Sequence, residues 1–490
     1  MTRTFLLYAF ALALAASAVA QDQPSSHYAT PGTLTRLTHT APNGVEVPFL
    51  LTDGTVLVQG FNDSDWYKLT PDVNGSYLNG TWSRMANLPT GYAPYAMASA
   101  VLADGRVVII GGEYNFGSFA FTNLGAIYDP LANTWTSIGH PAGWDFIGDS
   151  ESVVLPNGKF LVGRKFDTQM AQLDPTTLTW TAVSSNGKSD WFSEEGWTLM
   201  PNGTILTVDV LNNPNSEHYV PSEGRWVQDG GTIVNLQGPP EVGCITGQWG
   251  EYCPPGEIGP AILRPDGSVF ATGALHLGAF SGHTAIYRPG RTPDDAGTWT
   301  PGPDFPNGDD AGDNFAVLLT NGNVLVEGSS GRLYEFDGTN FNTGLASSGG
   351  PLIVLPTGQV LVGGLYIYTP ANQNYDPAWA PHVYMGNGTI LQRGHSYAIP
   401  GQRFNGMSQA AAFGDEFETA TNYPLVRLTF ASTHHVVYVR THDHSTMGVQ
   451  TGNSLTGTHM DVPANMETGI ASMEVVANGI PSNKVQVFIF

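Results

Sequence analysis

Residues 100–109 read Ala-Val-Leu-Ala-Asp-Gly-Arg-Val-Val-Ile, which is two apolar runs joined by a tight turn that ends in glycine. This pattern predicts a β-hairpin, because glycine readily adopts the positive φ that a tight turn requires. The pattern occurs in seven segments, with turns at residues 53–54, 104–105, 157–158, 202–203, 266–267, 321–322 and 357–358. The spacings between successive turns are 51, 53, 45, 64, 55 and 36 residues. The chain therefore contains an internal repeat.

Several repeats have a second half, in which a turn with proline precedes a strand with tryptophan. Residues 126–130 with 134–136, and 173–175 with 179–181, are examples. Each repeat then supplies four strands, and seven such units of about 50 residues predict a seven-bladed β-propeller. Residues 32–39 alternate as a strand before the first repeat. We expect them to close the ring as the outer strand of the seventh blade, which would remove an open sheet edge.

The pattern changes near Trp379, where longer alternating strands begin. Residues 425–429, 436–440, 471–477 and 485–490 are typical of a β-sandwich. The predicted fold is all-β, with a signal peptide at 1–20, a kelch-like propeller at 28–378 and an immunoglobulin-like sandwich at 379–490. The linker holds Pro370 and Pro377, which stiffen it, so we expect the sandwich to pack on the propeller.

The composition excludes several classes of protein. Of 490 residues, 12% are charged and 41% are hydrophobic, which is too few charges for a coiled coil and too much apolar surface for a disordered chain. The formal net charge of −23 argues against binding to nucleic acid or to an anionic membrane surface. We expect a monomer.

The N-terminus predicts export. Arg3 precedes an apolar run at residues 5–14, and Ala18-Val19-Ala20 is typical of a signal-peptide cleavage site. The run is too short to span a bilayer. We expect a secreted, extracellular protein, or a periplasmic one in a bacterium. Cys244 and Cys253 are the only cysteines, and export favours a disulfide between them.

The glycine pairs at residues 111–112 and 363–364, together with the tryptophan strands, resemble kelch repeats. A signal peptide, a kelch-like propeller and a C-terminal sandwich resemble the galactose oxidase and glyoxal oxidase family. That resemblance implies a copper ion on the propeller axis, held by tyrosines and histidines, one tyrosine being crosslinked to cysteine. The family's Tyr-His ligand pair aligns with Ser348-Gly349, which cannot replace it. The resemblance also makes His442 and His444 candidate metal ligands, on a loop that follows a strand.

Three carboxylates occupy one register of the repeat. The residues eight positions before the turns are Val45, Ala96, Asp149, Glu194, Ile258, Asp313 and Gly349. If this position faces the axis in one blade, it does so in all, which brings Asp149, Glu194 and Asp313 together. Glu151 lies two residues along the same strand face, and Glu257 is one residue off the register. Such a group needs a cation, a shared proton or a polar substrate, unless a wide solvated channel separates the charges.

Aromatic residues occur in the same loops. Tyr95, Trp144, Trp191 and Trp197 are candidates for stacking on sugar rings, beside carboxylates that bind hydroxyl groups. A pair of carboxylates also supplies the acid and base for glycosidic cleavage. Alternatively, the acids hold a hard cation such as calcium, or a transition metal if His442 or His444 joins them.

These features favour a carbohydrate-active protein, either a glycoside hydrolase or a polysaccharide lyase, with Asp149, Glu151, Glu194 and Asp313 as catalytic residues. Two alternatives remain open at this stage. One is a metal-dependent oxidase with altered ligands. The other is a non-catalytic extracellular protein that binds a glycan or another protein.

Overall fold

The computed structural model describes residues 31–490, except 62–63, 240–244, 248–249, 253–255, 277, 348, 410 and 414–418. For residues 245–247, 250–252 and 411–413 it describes the backbone alone. The predicted signal peptide at residues 1–20 and the predicted disulfide between Cys244 and Cys253 lie outside the described residues.

The described part of the chain is all-β, as predicted. Its only helix is a 3-10 turn at Pro306–Gly308, so none of its helices is long and apolar enough to cross a membrane. The strands of the repeat region are β1 (Thr33–Arg36), β2 (Pro48–Leu50), β3 (Val56–Gln59), β4 (Trp66–Thr70), β5 (Thr81–Arg84), β6 (Pro94–Tyr95), β7 (Ala98–Val101), β8 (Val107–Ile110), β9 (Tyr114–Asn115), β10 (Ser118–Phe119), β11 (Gly125–Asp129), β12 (Thr134–Ser137), β13 (Ser152–Val154), β14 (Phe160–Gly163), β15 (Met170–Asp174), β16 (Thr179–Val183), β17 (Thr198–Leu199), β18 (Ile205–Val208), β19 (Asn215–Val220), β20 (Arg225–Gly231), β21 (Ile245–Gly247), β22 (Gly250–Tyr252), β23 (Ile258–Leu263), β24 (Val269–Gly273), β25 (Thr284–Arg288), β26 (Thr298–Pro301), β27 (Phe315–Leu318), β28 (Val324–Glu327), β29 (Arg332–Phe336), β30 (Leu345–Ala346), β31 (Leu352–Val354), β32 (Val360–Val362) and β33 (Tyr366–Thr369).

The repeat forms antiparallel sheets of four strands. They are β2–β3–β4–β5, β7–β8–β11–β12, β13–β14–β15–β16, β17–β18–β19–β20, β23–β24–β25–β26, β27–β28–β29–β30 and β31–β32–β33–β1. Each predicted turn joins the first strand of a sheet to the second. The turn glycines at residues 54, 105, 158, 203, 267, 322 and 358 all have φ between +77° and +86°. The predicted hairpins are therefore confirmed, with glycine where the backbone is left-handed.

The predicted pairing of the N-terminal strand is also confirmed. β1 is antiparallel to β33, with Thr33 opposite Thr369 and Arg36 opposite Tyr366. One sheet thus contains strands from both ends of the repeat region. This pairing satisfies the outer edge of β33 and ties the two ends of the region together.

The first strands of neighbouring sheets contact one another. Contacts join β2 with β7, β7 with β13, β17 with β23, β23 with β27, β27 with β31, and β31 with β2. The sheets are therefore arranged like the blades of a propeller, with their first strands innermost. The tryptophans of the last strands pack in the apolar core: Trp135 lies 4.7 Å from Trp66 of the preceding sheet, and Trp226 lies 5.2 Å from Tyr219.

The remaining strands form two sheets that share one apolar core, which includes Val383, Ile399 and Met460 from one sheet and Leu428 and Met473 from the other. The first sheet has the order β34–β36–β41–β40, and the second has the order β35–β44–β42–β38–β39. These strands, with β37 and β43, are β34 (His382–Val383), β35 (Thr389–Leu391), β36 (Ser396–Gln402), β37 (Ala411–Phe413), β38 (Leu425–Phe430), β39 (Val436–Val439), β40 (Thr441–His442), β41 (Leu455–Asp461), β42 (Gly469–Ala477), β43 (Ile480–Pro481) and β44 (Val485–Ile489).

The C-terminal sheets pack against the tight turns of the repeat, as expected. Thr441 N donates to Thr52 O at 3.1 Å, and Met447 N donates to Pro156 O at 3.1 Å. The Arg440 guanidinium donates to the backbone oxygen of Asp104 at 2.7 Å. Hydrogen bonds to backbone atoms of several turns hold the two regions in one fixed orientation.

One C-terminal segment runs beside the innermost strands. β37 is antiparallel to β27, with Ala411 opposite Val317 and Phe413 opposite Phe315, and it also contacts β23 and β31. The loop of His442 and His444, in contrast, contacts a tight turn of the repeat, where His444 N donates to Ala103 O. The segment that enters between the innermost strands is instead residues 411–413.

Candidate functional site

The residues eight positions before the turns lie at the ends of the innermost strands that are opposite to the C-terminal sheets. In four of the seven repeats the backbone adopts a left-handed conformation at this position. The φ angles of Ala96, Glu194, Asp313 and Gly349 are +49°, +56°, +56° and +75°. The register predicted from the sequence therefore corresponds to a repeated structural position. Side chains other than glycine rarely adopt such angles, so this conformation is strained where the residue is Glu or Asp.

A buried lysine joins two of the three predicted carboxylates. Lys165 Nζ forms ion pairs with Asp149 Oδ2 and Glu194 Oε1. The side chains of Lys165 and Asp149 are 2% and 4% exposed, and that of Glu194 is 11% exposed. Lys165 follows β14, and its backbone N donates to Ile147 O at 3.0 Å. This hydrogen bond fixes Lys165 beside the segment that carries Asp149, just before β13. The ammonium group of Lys165 is thus a cation that offsets the repulsion between these carboxylates.

Lys165 is charged in this position. Burial by itself would lower its pKa, but the carboxylates of Asp149 and Glu194 outweigh burial and raise the pKa well above its usual value. Burial outweighs the Lys165 charge at Asp149 and raises the pKa of that carboxyl well above its usual value. The pairing replaces water with direct charge-assisted hydrogen bonds.

Glu257 and Asp313 complete the group. Asp313 N donates to Ile258 O at 3.2 Å, which places Asp313 beside the residue that follows Glu257. Burial, together with the nearby charges of Glu194 and Asp313, raises the pKa of Glu257 to about 11. Glu257 is therefore protonated at neutral pH. We call Asp149, Lys165, Glu194, Glu257 and Asp313 the lysine–carboxylate cluster.

Glu151 lies next to the cluster in a fully buried position. Its side chain accepts a hydrogen bond from Ser150 Oγ at 3.3 Å, and its Oε1 has no hydrogen-bond partner among the described residues. Burial raises the pKa of Glu151 to about 8. This carboxyl therefore exchanges a proton near neutral pH, which suits a general acid or base.

Two of the predicted sugar platforms are buried. Trp144 is 4% exposed and donates its indole N–H to Gln169 Oε1 at 3.0 Å, and Trp197 is 2% exposed and packs 5.5 Å from Phe192. Neither ring has a free face for a ligand, because the loops that hold them fold into the core. Tyr95 is half-buried and packs 5.9 Å from Tyr114, whereas Trp191 is 53% exposed.

The same end of the sheets carries an aromatic residue that the sequence did not single out. Phe280 lies on the loop between β24 and β25 and is 95% exposed. It lines a cavity of about 410 Å³ together with His276, His283 and Asp304. This loop lies beside the segment that leads to Asp313, since Gly282 N donates to Asp309 O at 2.9 Å.

The structure does not bring His442 or His444 to the lysine–carboxylate cluster. His444 N donates to Ala103 O, next to a tight turn at the opposite end of the innermost strands. The same loop contacts the turn at Pro156, since Met447 N donates to Pro156 O. The eight residues from Asp149 to Pro156 span roughly 20 Å of extended chain, which separates the two ends of the strand. His444 is also buried, which lowers its pKa to about 3, and its Nδ1 lies 2.9 Å from Thr458 Oγ1. The loop of His442 and His444 therefore lies away from the lysine–carboxylate cluster.

A second buried lysine was also missed. Lys188 Nζ contacts Glu195 at 3.0 Å, Glu217 at 2.8 Å and also Asp190. The side chains of Lys188, Glu195 and Glu217 are 0% exposed. The chain has only five lysines. Both lysines could have been noticed in the sequence, because lysine is rare in this chain. Lys165 comes directly after a predicted strand, and Lys188 lies beside a run of acidic residues.

Comparisons with known proteins agree with this fold. No protein-family model matches the chain. Two sequences of galactose oxidase from Gibberella zeae are each 34% identical to it over 86 residues, which is 18% of this chain and 11% of theirs. The match thus covers about a ninth of the length of these relatives. A solved structure, a fungal alcohol oxidase of the AA5 family in complex with copper, is 15% identical with a TM-score of 0.50, covering 94% of this chain and 99% of that one.

Proposed function

We propose that this protein is an exported galactose-oxidase-like enzyme that acts on hydroxyl groups of a carbohydrate at the lysine–carboxylate cluster. Its scaffold is a seven-bladed, kelch-like propeller with a C-terminal immunoglobulin-like sandwich. The four-stranded sheets, the contacts among their first strands and the whole-chain likeness to an alcohol oxidase support the scaffold. The apolar run at residues 5–14 supports export.

The observation that carries the proposal is the pairing of Lys165 with Asp149 and Glu194 where the innermost strands begin. A buried ion pair stabilises a fold little more than apolar residues of the same volume would, and removing one partner is strongly destabilising. Charged groups of this kind, with shifted pKa values, occur preferentially at functional sites. The backbone strain at Glu194 and Asp313 is also typical of a functional site.

The residues of the cluster suit a polyhydroxylated substrate. The carboxyl oxygens of Asp149 and Glu194 accept hydrogen bonds from hydroxyl groups, while protonated Glu257 donates one to a substrate oxygen. Glu151, with a pKa of about 8, accepts or returns the proton of a reacting hydroxyl. The exposed ring of Phe280 offers an apolar face to a sugar, a role first expected for Trp144 and Trp197.

The copper centre of the resembling family does not fit these residues. Gly349 occupies the place of the family's histidine, and any side chain there would collide with Glu327 Oε1. Glu327 is held in that place because its Oε1 accepts a hydrogen bond from Gly350 N at 2.9 Å. The cluster itself offers carboxylates already paired with an ammonium group. An oxidase built on this chain therefore needs a different set of ligands, and we derive no step through copper.

The sequence match to galactose oxidase favours oxidation over the hydrolysis or elimination that we first expected. In such a reaction a primary alcohol loses two hydrogen atoms to form an aldehyde, and dioxygen takes them up as hydrogen peroxide. The carboxyl groups named above hold the substrate and move the hydroxyl proton. Non-catalytic binding of a glycan is the remaining alternative.

One experiment separates these outcomes. The purified mature chain is analysed for bound metals and incubated with galactose, primary alcohols and a panel of polysaccharides. We expect hydrogen peroxide and aldehyde in a ratio of one to one, a loss of at least tenfold in the E194Q variant, and little change in the exposed control E223Q. Reducing ends or unsaturated sugars without peroxide would support a hydrolase or lyase instead. Saturable binding without any product would support a binding protein.

A further inference from the structure

The outer face of the sheet β34–β36–β41–β40 carries a second group of chemically versatile side chains. Thr456, Thr458 and Met460 of β41 point into the core and are buried, whereas the alternate residues His459 and Asp461 are partly exposed. A strand places successive side chains on opposite faces, so His459 and Asp461 share the outward face. This face belongs to the C-terminal region.

His442 lies directly opposite His459 in the neighbouring strand. The two are cross-strand partners in the β40–β41 pair, and their rings are 5.5 Å apart and inclined by 22°. Asp443 follows His442 with φ +50°, and its Oδ2 lies 2.8 Å from His442 Nδ1. His442, Asp443 and His459 each offer one ligand atom, and these three atoms lie within 4.8 Å of one another.

The partners of both imidazoles favour coordination. His442 Nε2 lies 3.0 Å from Asp461 Oδ1, and Asp461 Oδ2 is held by Arg440 at 2.7 Å. An imidazole that donates one N–H to a carboxylate presents its other nitrogen as a metal ligand, and this arrangement is common in metal sites. His459 Nδ1 is buried and has no hydrogen-bond partner among the described residues. A polar nitrogen buried without a partner costs stability unless a ligand satisfies it.

We propose that His442, Asp443 and His459 bind a divalent transition metal ion of the zinc type, with Asp461 as a positioning residue. Two imidazoles and one carboxylate suit Zn²⁺, with water in the fourth position, whereas calcium prefers oxygen ligands alone. Ligand atoms around tetrahedral zinc are roughly 3.3 Å apart, given metal–ligand distances of about 2.0–2.1 Å. The present ligand atoms, which lie within 4.8 Å of one another, reach that spacing through side-chain rotations that shift them by up to about 1.5 Å.

The site is separate from the lysine–carboxylate cluster and does not rest on the proposed function. It lies where β40 meets the tight turns, since Arg440 donates to Asp104 O and Thr441 N donates to Thr52 O. A metal ion there would link β40 to β41 and hold the surface that contacts the repeat region. Binding to the folded state alone raises the apparent stability of the protein.

The test uses the full mature chain without a histidine tag, stripped of metal with a chelator and titrated with ZnCl₂ by calorimetry at pH 7. We expect one saturable site, at least a tenfold loss of affinity in H442Q and in H459Q, and an increase in melting temperature on adding zinc. H435Q is the matched control: His435 lies 2.9 Å from Glu467, a surface histidine–carboxylate pair in the same region. It should bind zinc like the wild type.

The D461N variant tests the positioning role. We expect it to keep a stoichiometry of one while the affinity falls by about 10- to 100-fold, as is typical when a carboxylate behind a ligating histidine is removed. Melting curves without metal show whether each variant is folded. Absence of saturable binding, or equal affinity in H442Q, H459Q and the wild type, would overturn the proposal. In the second case the metal binds elsewhere, for example at Asp190, Asp209 and Glu217.

Discussion

Lys165 Nζ forms a buried ion pair with Asp149 Oδ2, and both side chains are less than 5% exposed. Asp149 lies just before β13 and Lys165 just after β14, so the hairpin of these two strands brings them together. The pairing converts a group of repelling carboxylates into a partly neutralised one. It is the feature on which both the stability and the proposed chemistry of this end of the sheets depend.

Replacing Lys165 by methionine should destabilise the protein by about 3–5 kcal/mol, because the change leaves Asp149 and Glu194 buried without a cation. Urea denaturation measures the difference. The exposed Lys484 supplies the control K484M, which should lie within about 0.5 kcal/mol of the wild type. Equal stability of K165M and K484M would contradict the buried ion pair.

The buried carboxyl of Glu151 should make stability depend on pH. Its pKa is raised to about 8 by burial, so the folded state favours the protonated form. The stabilisation that this form gives is complete below about pH 4.5 and is lost as the pH rises through 8, at about 1.4 kcal/mol per pH unit at most. E151Q should therefore gain stability relative to the wild type between pH 5 and pH 8. Melting temperatures across this range measure the gain; a constant difference would argue against the raised pKa.

A side chain at Gly349 should destabilise the protein. Its φ is +75°, and an added Cβ would collide with Glu327 Oε1. We expect G349A to cost at least about 1–3 kcal/mol from backbone strain alone, and G349H to cost more without gaining copper. Gly139, with no atom within 4 Å of an added Cβ, gives the control G139A. Chemical denaturation and metal analysis report the two effects; a stable, copper-loaded G349H protein would contradict this picture.

The two tryptophans of the loop before β17 should behave differently. Trp197 is buried against Phe192 and Trp226, so W197A should lose about 3–5 kcal/mol of stability. Trp191 is 53% exposed, so W191A should keep its melting temperature. A change in sugar binding in W191A, measured by calorimetry, would show that the exposed ring is part of the substrate surface. If W197A kept the stability of the wild type, the Trp197 ring would not contribute to the apolar core.

Much of the candidate site could be predicted from the sequence. The register argument placed Asp149, Glu194 and Asp313 at one end of the innermost strands because each lies eight residues before an equivalent turn. It also suggested that a cation, a shared proton or a polar substrate is needed, because three like charges repel. It missed Lys165, which is not at a repeated position and follows the second strand of its sheet. The argument also failed for Trp144 and Trp197, since a ring in a loop is exposed or buried according to how the loop folds back.

The sequence by itself determined the local structure. Turn glycines and alternating apolar runs specify the hairpins, because these features depend on φ preferences and on the two-residue period of a strand. The pairing of β1 with β33 was predicted from the closure of a ring of repeats, not from a local preference. Tertiary structure alone decided which distant residues meet. It placed Lys165 between Asp149 and Glu194, brought residues 411–413 beside β27, and kept His442 with His459 away from the cluster. These contacts arise from packing between elements that are remote in the chain, and no local preference of the backbone encodes them.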